Sequence, residues 1–180
     1  MEPPSPGADD LRELAQKYRQ LAELRARRDR GAKAEAELRH RLRGLSARAP
    51  GCLRELDTLG GSELERRAAA AEQAARGGPR EPWMAWIWAY HCLMRAALAL
   101  KRQVGSRPPA APRARALAAE ASALAGFAVD GAFVRAVARP PHGRVGVLVL
   151  QRLGVLYGAA PAAIAAALFP VRRPSPYTLP

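Results

Sequence analysis

The sequence predicts an all-α protein, a helical bundle around one central buried helix, and three observations carry that prediction. Hydrophobic residues make up 49% of the chain but aromatics only 6%, so alanine and aliphatic residues dominate and favour helices packed through small side chains over a β-sandwich. Apolar residues recur at steps of three and four in successive segments. The stretch PWMAWIWAYHCLMRAALALKR, Pro82 to Arg102, gathers all three tryptophans and is apolar on more than one side.

That stretch is predicted as a helix over 82–102. Trp83, Ile87, Tyr90, Met94 and Leu98 form one row and Trp86, Leu93, Ala97 and Leu100 a second, an apolar arc wider than a one-sided surface helix needs. Pro82 suits the first turn, where its missing N–H would have no partner, and Glu81 complements the positive helix end. Gly105 and the Pro108-Pro109 pair end the helix. Its length could span a bilayer, but His91 and Arg95 sit near its middle. A central Arg there costs roughly 2.5 to 3.5 kcal/mol, so no membrane is expected.

Before the central helix, residues 1–8 are expected to be disordered, and Asp10 with Glu13 to cap the first helix of an N-terminal helical region over 9–104. Leu11, Leu14, Tyr18, Leu21 and Leu24 form the stripe of this arm, with Arg12, Glu13, Lys17, Arg19, Glu23 and Arg25 facing water. The stripe breaks near Gly31 and resumes through Ala34, Leu38, Leu42 and Leu45, either as an antiparallel pair or as one kinked arm. A short helix over 52–59 follows, and Ser62 with Glu65 reads as a capping box opening a helix that runs to Arg76.

After the central helix, GSRPPAAP over 105–112 reads as a linker, and 113–170 as a basic helical region ending in a tail over 171–180. Leu117, Ala121, Leu124 and Ala125 share one helical face, Gly126 or Asp130-Gly131 interrupts, and Phe133, Val134 and Val137 continue to Pro140-Pro141. The valines at 145, 147 and 149 could begin a strand, but Leu148, Leu153, Leu156 and Tyr157 extend the apolar pattern past ordinary strand length, which predicts a helix.

Charge is uneven along the chain. Of the net +13, residues 104–180 hold +7, and no acid follows Asp130, as expected where a polyanion or an acidic surface is met. The excess of Arg, Ala, Gly and Pro, with only three lysines, also resembles the output of a GC-rich bacterial genome, which alone could supply part of the charge.

Within this basic region, LQRLGVLYGAAPAAIAAALF, Leu150 to Phe169, places a small residue at Gly154, a turn glycine at Gly158 and an aliphatic residue at Ile164. A small side chain lets two helices approach, a glycine accepts a left-handed turn, and an aliphatic residue locks the crossing. The spacing, over about twenty residues, resembles the helix-turn-helix of bacterial regulators, with Leu153, Tyr157 and Leu168 completing its core. That resemblance implies contact with DNA. The second helix reads APAAIAAA over 160–167 and offers methyl groups in place of the polar side chains that read base edges. Contact is therefore expected through phosphates, from Arg144, Arg152, Arg172 and Arg173.

Other constellations are sparse. Tyr90, His91 and Arg95 share the central helix and form a possible polar pocket for an anion or for acid–base work; the bland alternative is bonding to the acids Glu55 and Asp57 of a neighbouring segment. His40, His91 and His142 are scattered, and Cys52 and Cys92 belong to no C-x-x-C pair, so no metal or other cofactor is expected. No G-x-S-x-G, phosphate-binding or dinucleotide fingerprint occurs. The expectation is a non-enzymatic protein that binds nucleic acid through phosphates as a regulatory or accessory factor. The alternative is a helical adaptor or assembly subunit whose N-terminal arm captures a protein partner or a second copy. The acidic, proline-rich opening MEPPSPGADD is unlike a secretory leader and makes a cytoplasmic location the expectation.

Overall fold

In the computed structural model, which describes residues 5–28 and 59–169, all regular structure among those residues is helical. The elements are α1 (Ala8–Arg28), α2 (Gly61–Ala75), α3 (Pro82–Val104), α4 (Ala111–Ala125), α5 (Gly131–Ala138), a 3-10 turn (His142–Arg144), α6 (Val145–Tyr157) and α7 (Pro161–Leu168). The expected break at Gly31, the continuation from Ala34 to Leu45, all of the short helix over 52–59 except Leu59, and the tail over 171–180 lie outside the described residues; Leu59 is buried at a bend before α2.

Helix α3 is the axis. Helices α4, α5, α6 and α7 all pack against it, while α1 lies along α2, and one cluster of buried residues runs from Leu11 to Leu168. Ile87 is fully buried, and Trp83 and Met94 are nearly so. The helix opens on Pro82, and runs two residues past Arg102 to Val104, where Gly105 at φ +61° turns the chain. Alanines at 68, 71, 74 and 75 line the inward side of α2 and alanines at 114, 118, 121 and 125 that of α4; side chains this small let neighbouring helices pack closely.

Two caps differ from expectation. Asp10 does not begin α1 but sits in its first turn, where its carboxylate accepts from the Gly7 N–H at 2.8 Å, the return half of a capping box. Residues 5–7, expected in a disordered leader, lie against the fold: Pro6 is buried and Ser5 accepts from Arg80. The capping box read at Ser62 and Glu65 does not form either. Helix α2 is capped two residues earlier, from Gly60 and without a side-chain hydrogen bond, which places Ser62 inside its first turn. Its first-turn acid is Glu63, which complements the positive helix end and takes hydrogen bonds from both Arg66 and Arg67.

The stripe of α1 is consumed in the core: Leu11, Leu14, Tyr18, Leu21 and Leu24 are all buried. Where α1, α2 and α3 meet, the side chain of Arg67 is 3% exposed. Its Nε donates to Glu63 at 3.0 Å, its Nη1 to the Tyr18 hydroxyl at 3.3 Å, and its Nη2 to the Ala167 carbonyl near the end of α7. The guanidinium also lies 4.9 Å from the centre of the Trp83 ring, which Tyr18 meets edge-on. Burial opposes the Arg67 charge, and Tyr18 and Glu63 more than offset it, holding its pKa above the ordinary arginine value.

Replacing Arg67 by Met keeps the stem and removes the fork. It leaves the Ala167 carbonyl without this donor, and urea unfolding should show a loss of about 2 kcal/mol or more. A loss under about 0.5 kcal/mol, the level of an ordinary surface change, would contradict this role.

Candidate functional site

A cavity of about 260 Å³ lies between α1 and α3. Helix α1 supplies Glu13, Leu14 and Lys17, and α3 supplies Trp88, His91, Cys92 and Arg95; in each case the spacing of three and four places them on one helical face. Lys17, expected to face water, is instead 7% exposed, with its Nζ donating to Nε2 of His91. This inward turn was legible, since Lys17 stands three residues after Leu14 and four before Leu21, within the apolar stripe.

Burial first, and the Lys17 charge second, hold the His91 pKa well below its ordinary 6.5. The imidazole is therefore neutral. With Nε2 accepting, its proton resides on Nδ1, which is buried without a hydrogen-bond partner among the described residues. Arg95 is exposed at the cavity, and its Nη2 donates to the Leu124 carbonyl at 2.9 Å, at the carbonyl end of α4. Burial pushes the Cys92 thiol pKa up, against the pull of Arg95, so Cys92 is a protonated thiol at neutral pH.

The structure thus brings His91 and Arg95 to the cavity with Lys17, while Tyr90 does not line it and meets the His91 ring edge-on, at 6.0 Å. One residue along a helix is a turn of about 100°, and Tyr90 is buried with its ring 5.4 Å from Phe169. Glu55 and Asp57, considered as partners for this pair, lie outside the described residues, as do His40 and Cys52. Glu13, Leu14, Trp88 and Cys92 were not foreseen in the pocket, because nothing in one helix says where a second helix crosses it. Among the described residues no three His, Cys, Asp or Glu side chains gather as a metal ion would require.

Helices α6 and α7 form a second feature, bent by 111° across a short turn. Gly154 is buried, and a Cβ there would lie 2.8 Å from the Ala159 carbonyl oxygen and 3.0 Å from the Pro161 ring. Gly158 makes the turn at φ +59°. Leu153, Ile164 and Leu168 are fully buried. The Tyr157 hydroxyl donates to the Ala85 carbonyl of α3 at 3.3 Å, and burial pushes its pKa up to about 12. Outward from α7 face Pro161, Ala162, Ala163 and Ala166. No single helix among the described residues is long and apolar enough to cross a membrane.

The arginines divide. Arg152 is bound to Asp130 at 2.8 Å, and that carboxylate also caps α5 by accepting from the Phe133 N–H at 2.7 Å, so Arg152 is committed within the fold. Arg172 and Arg173 lie outside the described residues. Arg144 is exposed. Buried Lys101 donates to the Ala138 carbonyl at 2.7 Å and so joins the C-terminal ends of α3 and α5. Beside that junction Arg102, Arg135 and Arg139 are exposed, and none of them, nor Arg144, forms an ion pair with a described residue.

No family model, curated protein or solved structure matches the chain.

Two measurements check this geometry. The unfolded chain takes up a proton at His91 near pH 6.5 and the folded chain only at much lower pH. Stability should therefore be full above that value and fall as pH drops below it, by up to about 1.4 kcal/mol per unit. Between pH 8 and pH 5 the native protein should lose about 2 kcal/mol more than His91→Gln, and parallel curves would refute the assignment. Gly154→Ala should cost about 1 to 3 kcal/mol by overpacking; a thermal midpoint equal to that of the native chain would show that the two helices are not so closely apposed.

Proposed function

We propose that the chain is a non-enzymatic nucleic-acid-binding protein that engages the phosphate backbone from its basic end, as an accessory or regulatory factor. The observation that carries this reading is the set of exposed arginines left without carboxylate partners, Arg102, Arg135 and Arg139 near the joined ends of α3 and α5 and Arg144 in the 3-10 turn that follows. Arg135 and Arg139 stand one helical turn apart and share a face. The two acids of the region are engaged elsewhere, Asp130 with Arg152 and Glu120 with Gln103. Part of this positive charge offsets the carbonyl ends of α3 and α5, and the remainder is free to meet phosphates.

The α6–α7 hairpin supports the same reading by its resemblance to a helix-turn-helix, in its crossing angle and its two glycines. Its exposed methyl groups give no hydrogen bonds to base edges, so binding follows charge and not sequence. The competing reading, partner capture by the leucine stripe of α1, would need a surface that those leucines do not offer, because they are in the core.

Four phosphate contacts imply a slope of about −3.6 in log affinity against log salt, or roughly a hundredfold loss between 50 and 200 mM. Fluorescence anisotropy of a labelled duplex should show that slope, equal affinity for mixed and A·T-only sequences, and a slope reduced by about two in Arg135→Gln/Arg139→Gln. Absence of binding at low salt, or binding indifferent to salt, would overturn the proposal.

A further inference from the structure

We propose that the cavity between α1 and α3 is a binding site for a small zwitterion of the α-amino-acid type, independent of the nucleic-acid reading. Glu13 from α1 and Arg95 from α3 line the same space with opposite charges, and both are exposed. They form no ion pair with each other or with any other described residue. The local alternatives are already used. Lys17, four residues after Glu13 and normally its helical partner, is turned inward onto His91. Asp10, the nearest acid on α1, accepts from Gly7. One edge of the Arg95 guanidinium is held by the Leu124 carbonyl, which fixes it and leaves its remaining N–H groups for a ligand.

The charges select the class of ligand. A simple anion would be opposed by Glu13, and a simple cation by Arg95. A molecule with a carboxylate and an ammonium on one carbon satisfies both, the carboxylate on the guanidinium fork and the ammonium on Glu13. Leu14 and Trp88 supply the apolar wall for its side chain. Size agrees: a cavity of about 150 Å³ holds benzene, so about 260 Å³ takes a branched aliphatic or single-ring side chain with its polar head. His91, neutral and bonded to Lys17, contributes to the wall and no charge.

The test is isothermal titration of the full chain with L-leucine, L-phenylalanine, N-acetyl-L-phenylalanine and L-phenylalaninamide. At least one of the free amino acids should bind at millimolar concentration or below. The two phenylalanine derivatives, each lacking one charge, should bind at least about tenfold more weakly than phenylalanine. Arg95→Gln should abolish the preference for phenylalanine over the amide, and Glu13→Gln the preference over the N-acetyl form. Both substitutions are at exposed positions, so the fold is expected to persist, and circular dichroism checks it. Failure of both free amino acids to bind, equal affinity for phenylalanine and its two derivatives, or preferences untouched by the substitutions would each overturn the site.

Discussion

The arrangement of the first helices depends on keeping one guanidinium inside the protein. An ion removed from water costs several kcal/mol unless its donors are met, and the donors of Arg67 point in three directions within a rigid plane. They are met by Glu63 on its own helix, by Tyr18 on α1 and by the carbonyl of Ala167 at the end of α7, with the Trp83 ring of α3 against the guanidinium. Four helices therefore have to converge on one point. Hydrophobic burial supplies most of the driving force, since it scales with apolar area, but it is non-directional; the fork decides which helix ends meet.

Two further cations act in the same way. Lys17 ties α1 to α3 through His91, and Lys101 ties α3 to the end of α5 through the Ala138 carbonyl. Apolar packing is non-directional, and these long polar struts add directed bonds to it. The consequence for function is that the positive charge of the chain is not all surface charge. Arg67, Lys17 and Lys101 are inside and Arg152 is paired, so a net charge counted along the sequence overstates what a polyanion can reach.

The helical fold was legible because its signals are local. Apolar periodicity, Pro82 and Gly105 around α3, and Asp130 before α5 are properties of a few neighbouring residues, and each stands near where the helices begin and end. The capping box at Ser62 did not form because the helix already begins at Gly61, which puts Ser62 inside its first turn, where Glu63 accepts from Arg66 and Arg67. What periodicity cannot express is pairing across the chain. Arg66-Arg67 reads as a solvated pair, and nothing near it marks that one of the two meets a carbonyl 100 residues away. The cavity was half legible for the same reason. His91 and Arg95 share a face by helical geometry alone, whereas Glu13 and Trp88 come together only because α1 crosses α3 at that height.

The two proposed surfaces share a single rigid element and are still distinct. Six residues separate Arg95, the cavity residue of α3 nearest the basic end, from Lys101, about 9 Å along a helix rising 1.5 Å per residue, and the two sites have no residue in common. Each site nevertheless contains a side chain of α3 that holds the carbonyl end of another helix, Arg95 on α4 and Lys101 on α5. Neighbouring arginines at these junctions are thus held on backbone that is itself fixed by hydrogen bonds. That fixed backbone lowers the ordering cost of using them for binding, which separates these positions from arginines on a freely moving arm with the same formal charge.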